Sequence, residues 1–554
     1  MSRPSAVPAS STSGAPAVPR PPANGWLRRL LLDPYFIAGC LVFLAIVVCC
    51  WTGYVEGDEE FYLLGSRRVL DPSLLARDLT WARLSPTTAI FDHLLAPLWS
   101  FLDAFAIVNV GRLLFFAVMA GLFARLAKTI RLPAWSLVAG FTLWLLWKQT
   151  LGTCGAPFQG FQPKCFAYPL VILSLTSALR GNAGRAGIAA GLAVMFHIVV
   201  GGWAFLALFL SMLLNRKWFT LRQVGGFLIA AAPPIIAIGI AVSVFRHQSG
   251  AGVDASRMNE IYARFAMPHC CDPDYFMAPH HIPFAYLRAA VVFVLASLAV
   301  FAWPERRAAG ILGVYVVATI GFFASGLVAR RLGIDSLLAL YPFQLGNAFP
   351  ALFLFMLVAG GTGFRGWKGL RRWAVAVPLL VGTVGLLVEG DVQSEVLQRP
   401  LGFVDEIKVL TVAEPTMTEL DPLYSWIRTG TPRNSVFITP LIYEFWPYAE
   451  RAQVASMRQP PLDASIIEWK QRLEALNGFR PFAQRGFEIE IELAAHERAL
   501  SIADLVRIRD RYGATHYLVQ GQRPDLAAHL LHAEQGYSVY DVTRLVPAEG
   551  ERSP

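Results

Sequence analysis

Long apolar runs separated by short basic connections fill the first two thirds of the chain. The runs cover 35–54, 106–126, 134–148, 166–180, 186–200, 202–214, 223–245, 284–303, 310–329, 337–360 and 373–389. A helix needs about 20 apolar residues to cross the hydrocarbon core, so the pattern predicts about eleven transmembrane helices, several of them short. Residues 88–104 form one more apolar stretch, interrupted by Asp92, His93 and Asp103, and are expected as an interfacial helix.

Past residue 390 the periodicity changes. Thr431 to Ser435 reads as a turn leading into the strand Val436-Phe437-Ile438. Ser465 to Leu476 and Leu500 to Tyr512 read as helices, the second ended by Gly513, and His516 to Val519 reads as a buried strand. Alternating helices and strands predict a small α/β domain. Three regions follow: a disordered tail over 1–30, a membrane domain over 31–390 and an α/β domain over 391–554. The tail is Pro, Ala and Ser with few large apolar side chains, too little to offset its ordering entropy. The apolar run behind it is long enough to span and is not expected as a cleaved signal.

Basic residues orient the helices. Arg28 and Arg29 precede the first span. The connections holding Arg125/Lys128/Arg131, Arg180/Arg185, Arg216/Lys217/Arg222, Arg306/Arg307 and Arg365/Lys368/Arg371/Arg372 fall on the same side, which the positive-inside rule makes cytoplasmic. The loops 55–105, 149–165, 246–283 and 330–336, and everything after 390, then lie outside. Arg330 and Arg331 break the rule by landing outside, which reads either as a miscounted span or as a cationic site for an anionic lipid or phosphate. The expected setting is a bacterial inner membrane, with the N-terminus cytoplasmic and the α/β domain extracytoplasmic.

Composition agrees. The 554 residues are 55% hydrophobic and 16% charged, against about 25% charged in soluble domains. The net charge of +9 belongs to membrane topology, and no nucleic-acid partner is expected. There is no Walker loop, no GxGxxG after a strand and no zinc-finger spacing. Of the seven cysteines, Cys40, Cys49 and Cys50 lie in the first span, and Cys154 and Cys165 suit an outer-loop disulfide.

Four features carry chemistry. Glu56, Asp58, Glu59 and Glu60 follow the first span at once. Carboxylates at a bilayer edge are costly and are kept for ion, metal or substrate handling; Asp58 or Glu59 suits a general base. The loop Gly152 to Lys164, with three glycines and two prolines, ends on a lysine placed to meet a phosphate. His269, Asp272, Asp274, His280 and His281 crowd one outer loop with ligands for a divalent metal ion, in a spacing that matches no zinc pattern. His197 lies near the outer end of a span, where a histidine faces the bundle interior.

The plan resembles the GT-C superfamily of polyprenyl-phosphate-sugar-dependent membrane glycosyltransferases, in which an acidic motif follows the first span, here Gly57-Asp58-Glu59-Glu60-Phe61-Tyr62. Phe161-Gln162-Pro163-Lys164, His197 with Gly201, Pro268-His269-Cys270 through Pro273, and Thr431-Pro432 to Arg451 are similar to strings of a bacterial, largely uncharacterised GT-C-like group. That group carries Pro-His-His where this chain has Pro-His-Cys, and more usually Arg in the place of Lys164. The resemblance implies an integral membrane glycosyltransferase of the cell envelope that moves a sugar from a polyprenyl-phosphate donor to an unidentified extracytoplasmic acceptor. It implies Asp58 or Glu59 as base, and Lys164, Arg330 and Arg331, with His197 and Glu60, around the donor. A non-catalytic GT-C-like envelope scaffold and a lipid or solute transporter remain the alternatives.

Overall fold

The computed structural model describes residues 31–361 and 420–546, apart from 56, 83–84, 148, 152–155, 249–253, 278 and 440–444. The predicted tail, the span expected at 373–389, Glu56 and Cys154 lie outside the described residues. The other ten apolar runs all fall on helices.

Along the membrane domain these are α1 (Pro34–Cys50), the first-loop helices α2 (Gly57–Leu70) and α3 (Ala89–Leu95), α4 (Ala104–Thr129), α5 (Ala134–Leu146), α6 (Lys164–Leu179), α7 (Ala183–Phe196), α8 (Ile198–Leu214), α9 (Leu221–Gln248), α10 (Ile282–Phe301), α11 (Arg306–Leu332) and α12 (Gln344–Gly361). Four of them, α4, α9, α10 and α11, are long and apolar enough to cross a membrane alone. Six shorter apolar helices, α1, α5, α6, α7, α8 and α12, pack with them. A short helix at membrane depth is tolerated where its ends are covered by protein. The boundary expected between 200 and 202 moves to His197, whose extended backbone separates α7 from α8 and whose Nδ1 caps α8 by accepting from the Val200 N–H at 3.2 Å.

The two ends of the bundle differ chemically. At the basic end, Lys128 pairs with Asp33 at 2.6 Å, the Trp303 indole donates to the Ile130 carbonyl at 2.9 Å and Arg307 donates to the Ala178 carbonyl at 3.3 Å. Among the described residues, this end gathers the Lys- and Arg-rich connections that the sequence sorts to one side. Arg330 and Arg331 close the 27-residue α11 at the other end, about 40 Å away at 1.5 Å per residue. They therefore lie at the opposite end of α11 from Arg306 and Arg307.

The C-terminal domain is built on a five-stranded mixed sheet in the order β2-β1-β3-β5-β4, from β1 (Val436–Ile438), β2 (Ala452–Gln453), β3 (His516–Gln520), β4 (Leu530–Glu534) and β5 (Tyr537–Asp541). β1 is parallel to β2 and β3, while β5 is antiparallel to β3 and β4. Side chains alternate between its faces. Val436, Ile438, Tyr517 and Val519 pack under α14 (Ser465–Leu476) and its neighbours; Phe437, Leu518 and Val539 pack on α13 (Asp421–Gly430). The expected strands and helices are all present.

The domain sits on the first loop of the bundle, between α1 and α4. Asp78 of the first loop is buried against it: one carboxylate oxygen accepts from the Trp446 indole at 2.8 Å and the Gln453 N–H at 2.9 Å, the other from the Thr80 N–H at 3.0 Å. Arg67 pairs with Glu450 at 2.7 Å, and Arg433 with Asp71 at 2.7 Å. Burial lifts the Asp78 carboxyl to about 6 against the pull of these hydrogen bonds.

Two outcomes follow from this contact. Asp78→Ala leaves buried N–H donors without an acceptor and is expected to lower unfolding stability by about 2–4 kcal/mol, measured by thermal unfolding in detergent. Because the folded Asp78 binds its proton more tightly than the unfolded chain does, the wild type gains stability on acidification through about pH 6 towards pH 4. The melting-temperature difference between wild type and Asp78→Asn should shift in favour of wild type over that window; a constant difference would contradict the assignment.

Candidate functional site

Three consecutive carboxylates open α2, and a helix turns them 100° apart. Each therefore reaches a different neighbour. Glu59 points into the membrane bundle, Glu60 towards the C-terminal domain, and Asp58 into the space between.

Glu59 is fully buried. Its carboxylate forms a bidentate pair with Arg112 of α4, with Arg112 Nε 2.7 Å from Oε1 and Nη2 on Oε2, and it also accepts from the Phe161 N–H. Arg112 is 2% exposed and donates further to the Thr52 carbonyl at 2.7 Å and the Tyr54 carbonyl at 3.0 Å. One ion pair thus ties the end of α1, the start of α2, the middle of α4 and the loop before α6. Gly111 makes room for it: a Cβ there would overlap the Phe161 ring. With both oxygens engaged by a guanidinium, Glu59 fits a positioning role, not that of a base.

Glu60 is also spoken for. It accepts from the Tyr448 hydroxyl at 2.8 Å and pairs with Arg458 at 3.0 Å, both in the C-terminal domain. The structure therefore gives it a docking contact in place of the expected contact with substrate.

Asp58 differs. Its side chain is exposed and accepts from the Gln162 side-chain amide at 3.0 Å. The positions of Asp58, Tyr62 and Gly65 put them on one stripe of α2. The Tyr62 phenol is pushed above its ordinary value by burial first, and then by the carboxylates of Asp58 and Asp92, among other neighbours. Asp58 also lies close enough to His269 to pull that imidazole upward, although burial prevails and lowers it to about 4. His269 is therefore neutral at physiological pH, with its ring 4.4 Å from that of Phe487.

Lys164, the first residue of α6, is buried and lies two residues after Gln162. Its charge reaches His197 electrostatically. His197 uses Nδ1 as an acceptor, which leaves its proton on Nε2 in the neutral ring.

The remaining expectations are redistributed. Arg330 pairs with Asp272 at 3.1 Å and with Asp274, and Asp272 also accepts from Arg485 at 2.9 Å. These ions fasten the 246–283 loop to α11 and to the C-terminal domain, so Arg330 is engaged by carboxylates where a phosphate contact was expected. Arg331 is exposed beside it. His269, Asp272, Asp274, His280 and His281 do not converge: among the described residues no group of three or more His, Cys, Asp or Glu could hold a metal ion. His280 and His281 stack on one another, with ring centres 4.0 Å apart, and His269 packs on aromatic rings. The donor set thus does not fit the expected divalent ion. Cys165 is a free thiol and Cys270 is disulfide-bonded, which overturns the Cys154–Cys165 pairing.

Sequence reasoning missed Arg112, although its signal was present. A single arginine in the apolar run 106–126 needs a buried partner, and the acidic motif next to the preceding span supplies it. Gln162 was quoted within a motif without a role. A different separation of effects should appear on mutation. Glu59→Gln leaves Arg112 buried and uncompensated and is expected to cost about 3–5 kcal/mol. Adding Arg112→Met should recover much of that loss, and Asp58→Asn should leave the melting temperature near wild type. Thermal unfolding of the four proteins in one detergent reads all three effects.

Comparison with known proteins adds the following. Residues 418–476 match a family described as a domain of unknown function, DUF6798. No curated protein matches the chain. Among solved structures, the chain is similar to the archaeal oligosaccharyltransferase AglB from Archaeoglobus fulgidus, in complex with an inhibitory peptide and a dolichol-phosphate, at 10% identity and a TM-score of 0.47, over 90% of this chain and 70% of that one. It is also similar to the arabinofuranosyltransferase AftD from Mycobacteria at 13% identity and a TM-score of 0.43, over 93% of this chain but 40% of the length of AftD. A third similar structure is ArnT from Cupriavidus metallidurans in the apo state, at 14% identity and a TM-score of 0.40, over 94% of this chain and 98% of that one.

Proposed function

We propose that the protein is an integral membrane glycosyltransferase that moves a sugar from a polyprenyl-phosphate donor to an acceptor at the extracytoplasmic face of a bacterial inner membrane. In this reading the basic end of the bundle is cytoplasmic, and the end bearing α2 and the C-terminal domain faces outward.

One observation carries the reading. Of the three adjacent carboxylates, Asp58 alone is exposed and held by a neutral amide, while Glu59 and Glu60 are each paired with an arginine. A general base must reach its proton before its acidity matters, and Asp58 has that access. Further support comes from Lys164, a buried cation two residues after Gln162.

The chemistry is a displacement at the anomeric carbon. The acceptor hydroxyl gives its proton to Asp58, and its oxygen forms the new bond to carbon. The bond from that carbon to the phosphate oxygen breaks, and polyprenyl phosphate leaves with the electron pair. The Lys164 ammonium and the His197 Nε2–H are donors suited to the charge that develops on the leaving phosphate. Gln162 orients Asp58, and Glu59 with Arg112 fixes the start of the helix that carries it.

The test uses purified protein and a panel of radiolabelled polyprenyl-phosphate sugars. Asp58→Asn is expected to reduce transfer, or donor consumption, by about 10²–10⁴-fold with donor binding retained. Lys164→Met is expected to weaken donor binding. Wild-type turnover by Asp58→Asn would refute Asp58 as base. A wild-type protein that neither binds nor consumes any donor would favour a scaffold.

A further inference from the structure

An apolar patch stands open on the C-terminal domain where it meets the 246–283 loop. In α15 (Ile489–Glu497), Ile489, Leu493 and Glu497 are buried, and the first two pack into the core under the sheet. The opposite side of this helix is apolar as well. Ile491 is 75% exposed, and Ala494 and Ala495 are exposed on the same face. Phe487, one turn earlier, is 43% exposed, and its ring stacks on Phe276 of the loop, itself 59% exposed, with centres 6.1 Å apart. A surface helix turns polar groups to water, and joined exposed apolar side chains mark a contact with something else.

The fastening of the patch fixes its level on the bundle. The Tyr275 hydroxyl donates to the Arg485 carbonyl at 3.1 Å, and a Cβ on Gly486 would overlap that hydroxyl, so the segment before Phe487 lies directly on the loop. Asp272 accepts from Arg485 at 2.9 Å and pairs with Arg330, in the last turn of α11, at 3.1 Å. Asp274, two residues before Phe276, meets Arg330 and also Tyr286, near the start of α10. The patch is thereby held at the start of α10 and the end of α11, two helices long and apolar enough to cross a membrane. Phe284, Leu287 and Leu332 are exposed at those two ends, where a bilayer around the bundle would cover them. The patch continues that surface onto the C-terminal domain.

The rim suits phospholipid headgroups. Arg331 and Arg485 are exposed in the segments that hold the patch, and His280 and His281 are exposed just before α10. Cationic and aromatic side chains are the usual anchors at a bilayer surface. Glu488, exposed next to Phe487, keeps the contact shallow.

We infer that Phe276, Phe487 and Ile491 rest in the headgroup–acyl boundary of the bilayer leaflet at the end of the bundle that carries the C-terminal domain. Lipid then holds this domain from the side, in addition to its polar contacts with the first loop. The contact stands whether or not the protein transfers a sugar.

The test uses the full-length protein in nanodiscs of pure phosphatidylcholine, with the photoreactive residue benzoylphenylalanine placed singly at Phe276, Phe487, Ile491 or Leu531. Leu531 is the control: it is 47% exposed on the edge strand β4, beside the stack of Trp426 on His532. Mass spectrometry should find phosphatidylcholine adducts at Phe276 and Ile491, on acyl carbons within about 5–10 Å of the headgroup boundary, and none at Leu531. Ile491 is the decisive position, because it is the most exposed of the three. No lipid adduct at Ile491 and Phe276, adducts to a second protein chain, equal lipid labelling at Leu531, or lipid adducts only after polyprenyl phosphate is added would each overturn the inference.

Discussion

The site depends on one buried ion pair. Arg112 and Glu59 meet where four chain segments converge, and their remaining hydrogen-bonding capacity is taken by the Thr52 and Tyr54 carbonyls and the Phe161 N–H. Removing two charges from water is expensive, and such a pair is poor evidence of net stability. Its consequence is geometric. Asp58 is the residue before Glu59, Gln162 the residue after Phe161, and Lys164 two residues further. Holding the Phe161 N–H on the Glu59 carboxylate, itself fixed by Arg112, therefore brings Asp58 within hydrogen-bonding reach of Gln162, with the buried Lys164 in the same segment.

The same helix distributes two further duties by rotation alone. Glu60 and Arg67 reach the C-terminal domain, and Tyr62 and Gly65 line a cavity in front of it. The C-terminal domain is thereby locked to the element that carries the proposed base. Asp78 completes the lock from the other end of the first loop, accepting from both Trp446 and Gln453. The Asp272 and Asp274 carboxylates do the same for the 246–283 loop through Arg330 and Arg485. Acidic residues at this face act mainly as fasteners, which explains why so many survive at a bilayer edge.

Much of this was legible from periodicity. The ten apolar runs within the described residues all mark helices, the basic connections among those residues share one end, and the α/β pattern after residue 420 matches the sheet and helices found there. What periodicity could not decide was which of Asp58, Glu59 and Glu60 is open. Adjacent residues differ only by 100° of rotation, and the answer lies in partners 53 residues away at Arg112 and 398 away at Arg458. The metal reading of His269, Asp272, Asp274, His280 and His281 failed for the same reason. The two aspartates are taken up by Arg330 and Arg485, and the histidines pack against rings. Asp92 was visible as a break in an apolar run, but its burial against Gly65 comes only with the fold.

The most direct measurement is a cryo-EM structure of the protein with a non-hydrolysable polyprenyl-phosphate sugar analogue. The account predicts the anomeric carbon near Asp58, the phosphate against Lys164 and His197, and Glu59 still held by Arg112. An analogue whose sugar lies against Glu59, with the Arg112 pair broken, or one bound at the basic end of the bundle, would contradict it.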